Sequence, residues 1–336
     1  MEDRILLAHG SGGKLMHDLI AKSFVSTLGN PILDKLDDSA VFELEEPGKL
    51  AFTTDSYVVS PIFFPGGDIG KLAVCGTVND LAMSGATPLY LSLSLIIEEG
   101  LFIADLERIV DSIKQAASEA GVKIVTGDTK VVNRGSADKL FITTSGVGVV
   151  PPGVNISGAN ARPGDKIIIS GTIGDHGIAI VSQREGLRFQ VPVASDCAPL
   201  NRLVAEMVKT SVNIHCLRDP TRGGLATNLN EFAQQSKVGI VIEEANIPVK
   251  KSVLGACELL GFDPLYLANE GKLAAVVAPD DAGKVLKRMK QSQYGAEAVI
   301  IGKVVAEHPG RVIMKTRLGA SRIVDILVGE LLPRIC

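Results

Sequence analysis

Tryptophan is absent from this 336-residue sequence, and only four Tyr and ten Phe are present. No basic block is interleaved with aromatics, and the formal net charge is −4. The chain therefore lacks the cationic stripe and stacking platforms that nucleic-acid binding uses, and no nucleic acid is expected as a partner. Long apolar runs are missing too. No stretch approaches the ~20 residues that span a bilayer, and the acidic start, Met1-Glu2-Asp3-Arg4, leads into nothing that reads as a signal peptide. Cysteine is scarce, at five residues (Cys75, Cys197, Cys216, Cys257, Cys336). They are odd in number, widely spaced and without a CxxC pair, which excludes a zinc knuckle and a disulfide framework. The five histidines form no HExxH-like cluster. The expected setting is a reducing cytoplasm, with no membrane.

One of the scarce cysteines is the last residue, in Pro333-Arg334-Ile335-Cys336. A terminal thiol is mobile and reachable, and its thiolate is the strongest ordinary protein nucleophile near neutral pH. Prenylation is excluded, since that signal needs three residues after the cysteine. A frayed end without a role is the plain alternative.

The length favours two domains, and Val150-Pro151-Pro152-Gly153 is the best boundary because it stops any regular element. Before it, helical stretches are expected from Lys14 through Ser26, over Ile69–Met83 and over Leu101–Ala120. Strands are expected at Leu50–Thr54, Leu89–Ile97, Val122–Val125 and Leu140–Val150, with Leu89 to Ile97 showing the period-2 alternation of a strand. A second αβ set follows: a strand at Lys166–Ser170, then glycines around Asp175-His176, a helix at Leu200–Thr210 and a strand at Leu273–Ala278. From about Arg317 the pattern reads as a tail. The fold class is thus α/β, sheets backed by helices, with domains at 1–152 and 153–316 and a mobile tail at 317–336.

Three glycines in His9-Gly10-Ser11-Gly12-Gly13-Lys14 free backbone N–H groups to approach an anion, and Lys14 adds charge. Leu15 follows where a Walker loop needs Ser or Thr, and a plain flexible loop is the alternative. The turn Asp219-Pro220-Thr221-Arg222-Gly223-Gly224 opens a helix whose N–H groups and Arg222 could hold an anion, or it is an ordinary capped helix start. Asp37, Asp38, Asp55, Asp80 and Asp128 come from four separate places, mostly at expected strand ends. One Asp there is usually a turn former; five with glycine loops and lysines suggest Mg2+ shared between carboxylates and the phosphates of ATP.

Asp37-Asp38-Ser39-Ala40, Thr54-Asp55-Ser56, Asn79-Asp80-Leu81-Ala82 and Gly127-Asp128-Thr129-Lys130 resemble the nucleotide-site motifs of the aminoimidazole ribonucleotide synthetase (PurM)-like superfamily. With the N-terminal glycine loop, Asn269-Glu270-Gly271-Lys272, Asp219 to Gly224 and the terminal tetrapeptide, the chain resembles the HypE family of hydrogenase maturation proteins over essentially its whole length. The resemblance implies a two-domain PurM-like fold, dimerisation through the N-terminal sheets, and ATP beneath the glycine loop. It implies a carbamoyl group placed on Cys336 by the carbamoyltransferase HypF, its ATP-dependent dehydration to a thiocyanate, and cyanide passed to iron on a HypC–HypD scaffold. Carried over residue by residue, it puts Gly10, Ser11, Gly12, Gly13, Lys14, Asp37, Asn79, Asp128, Thr129, Arg222, Gly223 and Gly224 on ATP, and Asp38, Asp55 and Asp80 on Mg2+. Glu270 is then the first candidate base for the amide protons, with Lys130 and His9 as polarising helpers. A small-molecule kinase of the same fold and a non-catalytic thiol carrier remain the other readings.

Overall fold

The computed structural model describes residues 4–10, 14–35, 48–187, 192–326, 332 and 334–336. Ser11, Gly12, Gly13, Asp37, Asp38 and Pro333 lie outside the described residues. The chain opens with α1 (Lys14–Leu19), a π-helical turn and α2 (Ser26–Leu28). Then come β1 (Lys49–Tyr57), the short β2 (Phe63–Phe64) and β3 (Gly67–Asp68), α3 (Ile69–Met83), β4 (Thr87–Glu98), α4 (Ile103–Ala120), β5 (Lys123–Val132) and β6 (Leu140–Val150). The second half runs β7 (Lys166–Ile169), α5 (Asp175–Arg184), α6 (Asn201–Thr210), β8 (Ile214–Arg218), α7 (Gly224–Ser236), β9 (Gly239–Glu243) and α8 (Lys251–Leu260). It ends with β10 (Ala274–Val277), α9 (Pro279–Met289), β11 (Val299–Val305), β12 (Val312–Lys315) and β13 (Ser321–Val324).

Two sheets organise these elements. The N-terminal one has the order β1-β6-β4-β5, and the C-terminal one β13-β12-β9-β11-β7-β10-β8. The alternation in β4 buries Leu91, Leu93, Leu95 and Ile97 on one face, where α3 packs on β4 and α4 packs on α3 and β5. The other face carries Ser and Thr residues with Phe52 71% and Ile96 41% exposed, so among the described residues this sheet is covered on one side only. α4 is amphipathic and turns Leu106, Ile109, Val110 and Ile113 inward. α3 is different: small or apolar residues surround it, and it is buried on nearly every side because it also packs on α6 and β8 of the second domain. A helix apolar all round is what a position between two domains requires. Asp68 caps it, its Oδ1 accepting from Gly70 N at 2.8 Å and Lys71 N at 3.0 Å. Among the described residues no helix is long and apolar enough to cross a membrane.

Three differences from the sequence reading bear on the site. β1 and β5 run past their expected ends, because ladder pairing continues to Tyr57 opposite Ile142 and to Val132 opposite Glu98. Asp55 and Asp128 therefore sit within strands and not at strand ends; Asp80 is on α3. The strands β8 and β9 were not expected. The stretch from Arg317 is not a tail throughout: Ser321–Val324 pair antiparallel with β12, and their polar, exposed face made them read as unstructured. Nor is the extreme C-terminus a loose end, as the next section describes.

Candidate functional site

The last three residues lie against the end of β1 and the start of α5. Val58 N donates to Cys336 O and Ser60 N to Arg334 O, each at 3.2 Å. Arg334 Nε returns a bond to Val58 O at 2.9 Å, and its guanidinium pairs with Asp138 at 2.5 Å. From α5, His176 Nε2 meets Ile335 O at 2.8 Å and Arg184 Nη2 meets Arg334 O at 2.9 Å. Ile335 is buried within the N-terminal core. The tail expected to be mobile is thus docked, with its three carbonyls bonded and the Cys336 side chain directed among charged groups. Burial, then the nearby Glu270 carboxyl, pushes the Cys336 thiol up to about 12, with Arg222 acting the other way. A docked thiol is therefore protonated and a poor nucleophile.

Glu270 reaches this place from a strap before β10. Its N–H donates to Asp196 Oδ1 at 3.1 Å, and its carbonyl accepts from Ala198 N at 3.3 Å. Gly271 makes the close approach necessary, since a Cβ there would stand 1.8 Å from Asp196 O. Lys272 pairs with Asp196 at 3.2 Å. The Glu270 side chain is 2% exposed, and its Oε1 is buried without a hydrogen-bond partner. Native interiors rarely leave such an atom unsatisfied, and an absent ligand is a standard reason. Burial, then Cys197, Asp219, Asp196 and Asp55, hold its carboxyl well above the usual range.

Further carboxylates gather where α3 meets the turn before α7. Asp80 accepts from Thr53 Oγ1 at 2.9 Å, and Asp55 accepts from the Tyr57 hydroxyl at 3.0 Å. Burial raises Asp80 and Asp55 raises it further; burial, then Asp80, lifts Asp219 to about 7. Asp80, Arg218, Asp219, Thr221 and Arg222 line an open interdomain cleft of about 400 Å3. The turn needs both glycines: Gly223 and Gly224 have φ of +76° and +62°, and Cβ atoms there would meet Thr227 and the Leu265 carbonyl. A separate hollow of about 210 Å3 under the π-turn is lined by Phe24, Leu28, Leu93 and Ile124, with Asp128 and Thr129 also on its wall.

The arrangement joins Cys336, Glu270, Arg222, Asp55 and Asp80, to which the resemblance gave roles, as electrostatic neighbours. It does not join the others. Lys130 pairs with Asp128 at 2.9 Å, both exposed on β5. His9 is buried beside α1 and the start of α4, its Nδ1 accepting from Leu6 N at 3.0 Å. Asn79, expected on ATP, spends its side chain on the domain interface: Oδ1 accepts from Leu200 N at 2.7 Å, and Nδ2 donates to Ala198 O at 3.1 Å. It is fully buried, so its amide fixes the segment on which Glu270 rests. Gly10 closes a 3-10 turn and Lys14 opens α1. Of the metal trio, Asp38 is outside the described residues, and among those described no group of three His, Cys, Asp or Glu is arranged as a metal site. Sequence reasoning missed Asp196, His176 and Arg184. His176 did stand out between glycines, but only the topology shows what it faces.

The N-terminal and C-terminal domain models of the AIR synthase related proteins match residues 36–150 and 162–315. "Carbamoyl dehydratase HypE" of Azotobacter vinelandii is 56% identical over 330 residues, covering 98% of this chain and 96% of that protein. A solved structure of hydrogenase maturation protein HypE in complex with ATP is 52% identical and superposes with a TM-score of 0.95, over 98% of this chain and 99% of the other. A chain of a HypE–HypF complex, also 52% identical, superposes with a TM-score of 0.81 over 92% and 99%.

Proposed function

Because the chain belongs to the HypE family of hydrogenase maturation proteins, we propose that it uses ATP to dehydrate a carbamoyl group carried on its own Cys336 to a thiocyanate. The observation that carries this reading is the docked Cys336 beside a buried Glu270 carboxyl whose Oε1 has no partner.

Loading and reaction occupy different tail positions. Docked, the thiol is held up to about 12 and is inert; released into solvent, it returns toward the ordinary ~8.5 at which an appreciable thiolate fraction can accept a carbamoyl group. HypF is the partner proposed to load it, from the HypE–HypF complex of the relative. Back in the site, the thiocarboxamide oxygen is a poor leaving group. Phosphorylation by ATP converts it to one that departs as phosphate. The carboxamide nitrogen gives up both protons as the C≡N bond forms, one with the phosphate and one to Glu270, leaving thiocyanate, ADP and phosphate. A carboxylate with a raised pKa is a stronger base once ionised. The enclosed position also keeps water from the activated intermediate.

The relative's structure with ATP supports a nucleotide here. The 210 Å3 hollow is smaller than a typical 300–1,000 Å3 ligand site and suits part of a nucleotide, with Asp128 and Thr129 at hand. Arg222 and the Gly223–Gly224 turn suit phosphate oxygens. The charge of Asp55 helps to raise the Asp80 carboxyl, a repulsion that a divalent cation relieves, and all-oxygen donors fit Mg2+. They would hold it, with Asp38 outside the described residues; the ion supplies charge neutralisation for the phosphates. Lys130 and His9 do not reach Glu270 within one chain, so any helper role for them acts elsewhere on the bound nucleotide. The half-covered N-terminal sheet, with Phe52 exposed, supports a homodimer across that face; light scattering that gave a monomer mass with and without Mg·ATP would oppose it. The cyanide is proposed to go to iron on HypC–HypD.

The test is intact-mass analysis of the C-terminal peptide after incubation with HypF, a carbamoyl donor and ATP. Cys336 should gain a carbamoyl group and then lose one water. Cys336→Ala should bind ATP normally and gain neither mass. Modification of another thiol in that variant would overturn the carrier assignment.

A further inference from the structure

The docked tail is held largely through its backbone carbonyls, and one helix, α5, supplies two of the bonds to them. His176, Ile180 and Arg184 are spaced i, i+4, i+8 on α5 and so share one face. His176 Nε2 meets Ile335 O at 2.8 Å, Arg184 Nη2 meets Arg334 O at 2.9 Å, and Ile180 and Ile335 belong to the same apolar core. None of these contacts involves the Cys336 side chain.

The other ring nitrogen of His176 meets Ser195 Oγ at 2.8 Å. A carbonyl can only accept, so Nε2 carries the proton and donates to Ile335 O; Nδ1 then accepts from the Ser195 hydroxyl. Ser195 Oγ in turn accepts from Cys197 N at 3.0 Å. Between them lies Asp196, whose carboxylate receives the Glu270 N–H. The ring is fully buried, stands edge-on to Phe64, and is kept neutral by burial, with Asp196 opposing. The hydrogen bonds run from Ile335 O through His176 and Ser195 to Cys197 N, and from the neighbouring Asp196 to Glu270 N.

We propose that His176 is a positioning residue that clamps the tail carbonyl next to the thiol and ties the docked tail, through Ser195, to the segment that seats Glu270. This rests on the dehydratase reading for its purpose, but the clamp itself is measurable without any turnover. Because the clamp reads the peptide backbone, bare, carbamoylated and cyanated cysteines dock alike, and the thiol keeps its freedom to carry cargo.

Two amide substitutions in the full-length protein separate the two ring nitrogens. In His176→Asn the amide stands near the Nδ1 position, which keeps Ser195 and loses Ile335. In His176→Gln it stands near Nε2, which keeps Ile335. The readout is the rate at which iodoacetamide alkylates Cys336, followed by mass of the C-terminal peptide; the other four cysteines are buried. The Asn variant should react about tenfold faster or more than the parent, the scale expected when a buried carbonyl loses its donor. The Gln variant should stay near the parental rate. Arg184→Gln, at a half-buried position, should also speed alkylation. Melting temperature and ATP affinity serve as controls for a merely structural role and should not follow the alkylation rates. Parental alkylation in His176→Asn and Arg184→Gln, or equal acceleration in the Asn and Gln variants, would overturn the clamp. With carbamoylated protein, dehydration should slow in the Asn variant and not in the Gln variant. A parent that never forms the nitrile would defeat the dehydratase reading and leave the alkylation result to judge the clamp.

Discussion

Glu270 and Asp128 are both acidic residues followed within two positions by a lysine, yet the fold gives them opposite chemistry. Glu270 is buried among other acids and holds its proton well above the usual range, by burial first and then by Cys197 and its acidic neighbours. Asp128 lies on an exposed stretch of β5, where the hydrogen bond from Lys130 lowers it. The lysines differ in the same way. Lys272 turns to Asp196 and supports the strap, whereas Lys130 answers Asp128 directly. Local sequence supplies the carboxylate; the domain interface decides whether it is a base in waiting or a solvated anion.

Removing the buried acid should give the larger effect. Glu270→Gln keeps the shape and is expected to lower the rate of nitrile formation by about 10²–10⁴-fold, the usual contribution of a general base, while tail docking and ATP affinity persist. In the parent the rate should rise with pH as Glu270 ionises; in the variant that limb should vanish. Stability has its own sign. A carboxyl raised in the folded state contributes fully below its unfolded pKa, and that contribution is lost as pH rises toward the folded value. The Gln variant should therefore be the more stable protein at neutral and alkaline pH. An unchanged single-turnover rate would remove Glu270 from the chemistry.

Asp80 tests the same principle where a cation is proposed. Burial, then Asp55, raises its carboxyl, and the Thr53 bond offsets this in part. Asp80→Asn should weaken Mg·ATP binding by about tenfold or more, since one charged donor is lost. Without nucleotide it should not destabilise the fold, because it relieves a repulsion. Calorimetry with equal Mg·ATP affinity in parent and variant would exclude Asp80 from the metal.

Asp219 carries the comparison into stability alone. Its carboxyl is lifted from an ordinary 3.8 to about 7, by burial and then by Asp80. Parental stability should fall as pH climbs from about 4 to about 7 and level off above. Asp219→Asn avoids the fall, so its advantage should grow through that window to on the order of 2–4 kcal/mol. Denaturant titrations at several pH values would show it; parallel curves would mean the carboxyl ionises freely in the folded protein.

Much of the fold was legible because its cues are local. The alternation of Leu89 to Ile97, the small-and-apolar run of Ile69–Met83 and the stripe of Leu101–Ala120 each dictate one element with little help from elsewhere. β8, β9 and β13 escaped the reading, and the exposed face of Ser321–Val324 gains its order from pairing with β12. At the site, Cys336, Glu270 and Arg222 were legible from their motifs. The duties of Asn79 and His176 were not. Asn79 bonds to residues more than a hundred positions away, and His176 meets Ile335 across 159. Such partners follow from topology and leave no local period or spacing. The placement of Lys130 and His9 was hidden for the complementary reason: their residue types suit the chemistry, but β5 and the 3-10 turn before α1 set them apart from Glu270.

The smallest expected effect belongs to the exposed pair. The Lys130 and Asp128 side chains are 62% and 53% exposed, and ion pairs in that setting contribute a median of about 0–1 kcal/mol, screened by salt. The lowered Asp128 carboxyl adds stability that is present above its unfolded pKa and lost as pH falls through its folded value. Lys130→Ala should therefore cost at most about 0.5 kcal/mol at neutral pH and nothing in acid. It should also let Asp128 titrate nearer its ordinary value, which carboxyl NMR shifts would follow. The same variant sharpens the contrast with Glu270. If its stability is unchanged but dehydration on Cys336 collapses while tail alkylation stays parental, Lys130 acts on nucleotide or substrate from outside the buried cluster. If both are unchanged, the pair is a solvated surface contact, and the chemistry rests with the acids at the domain interface.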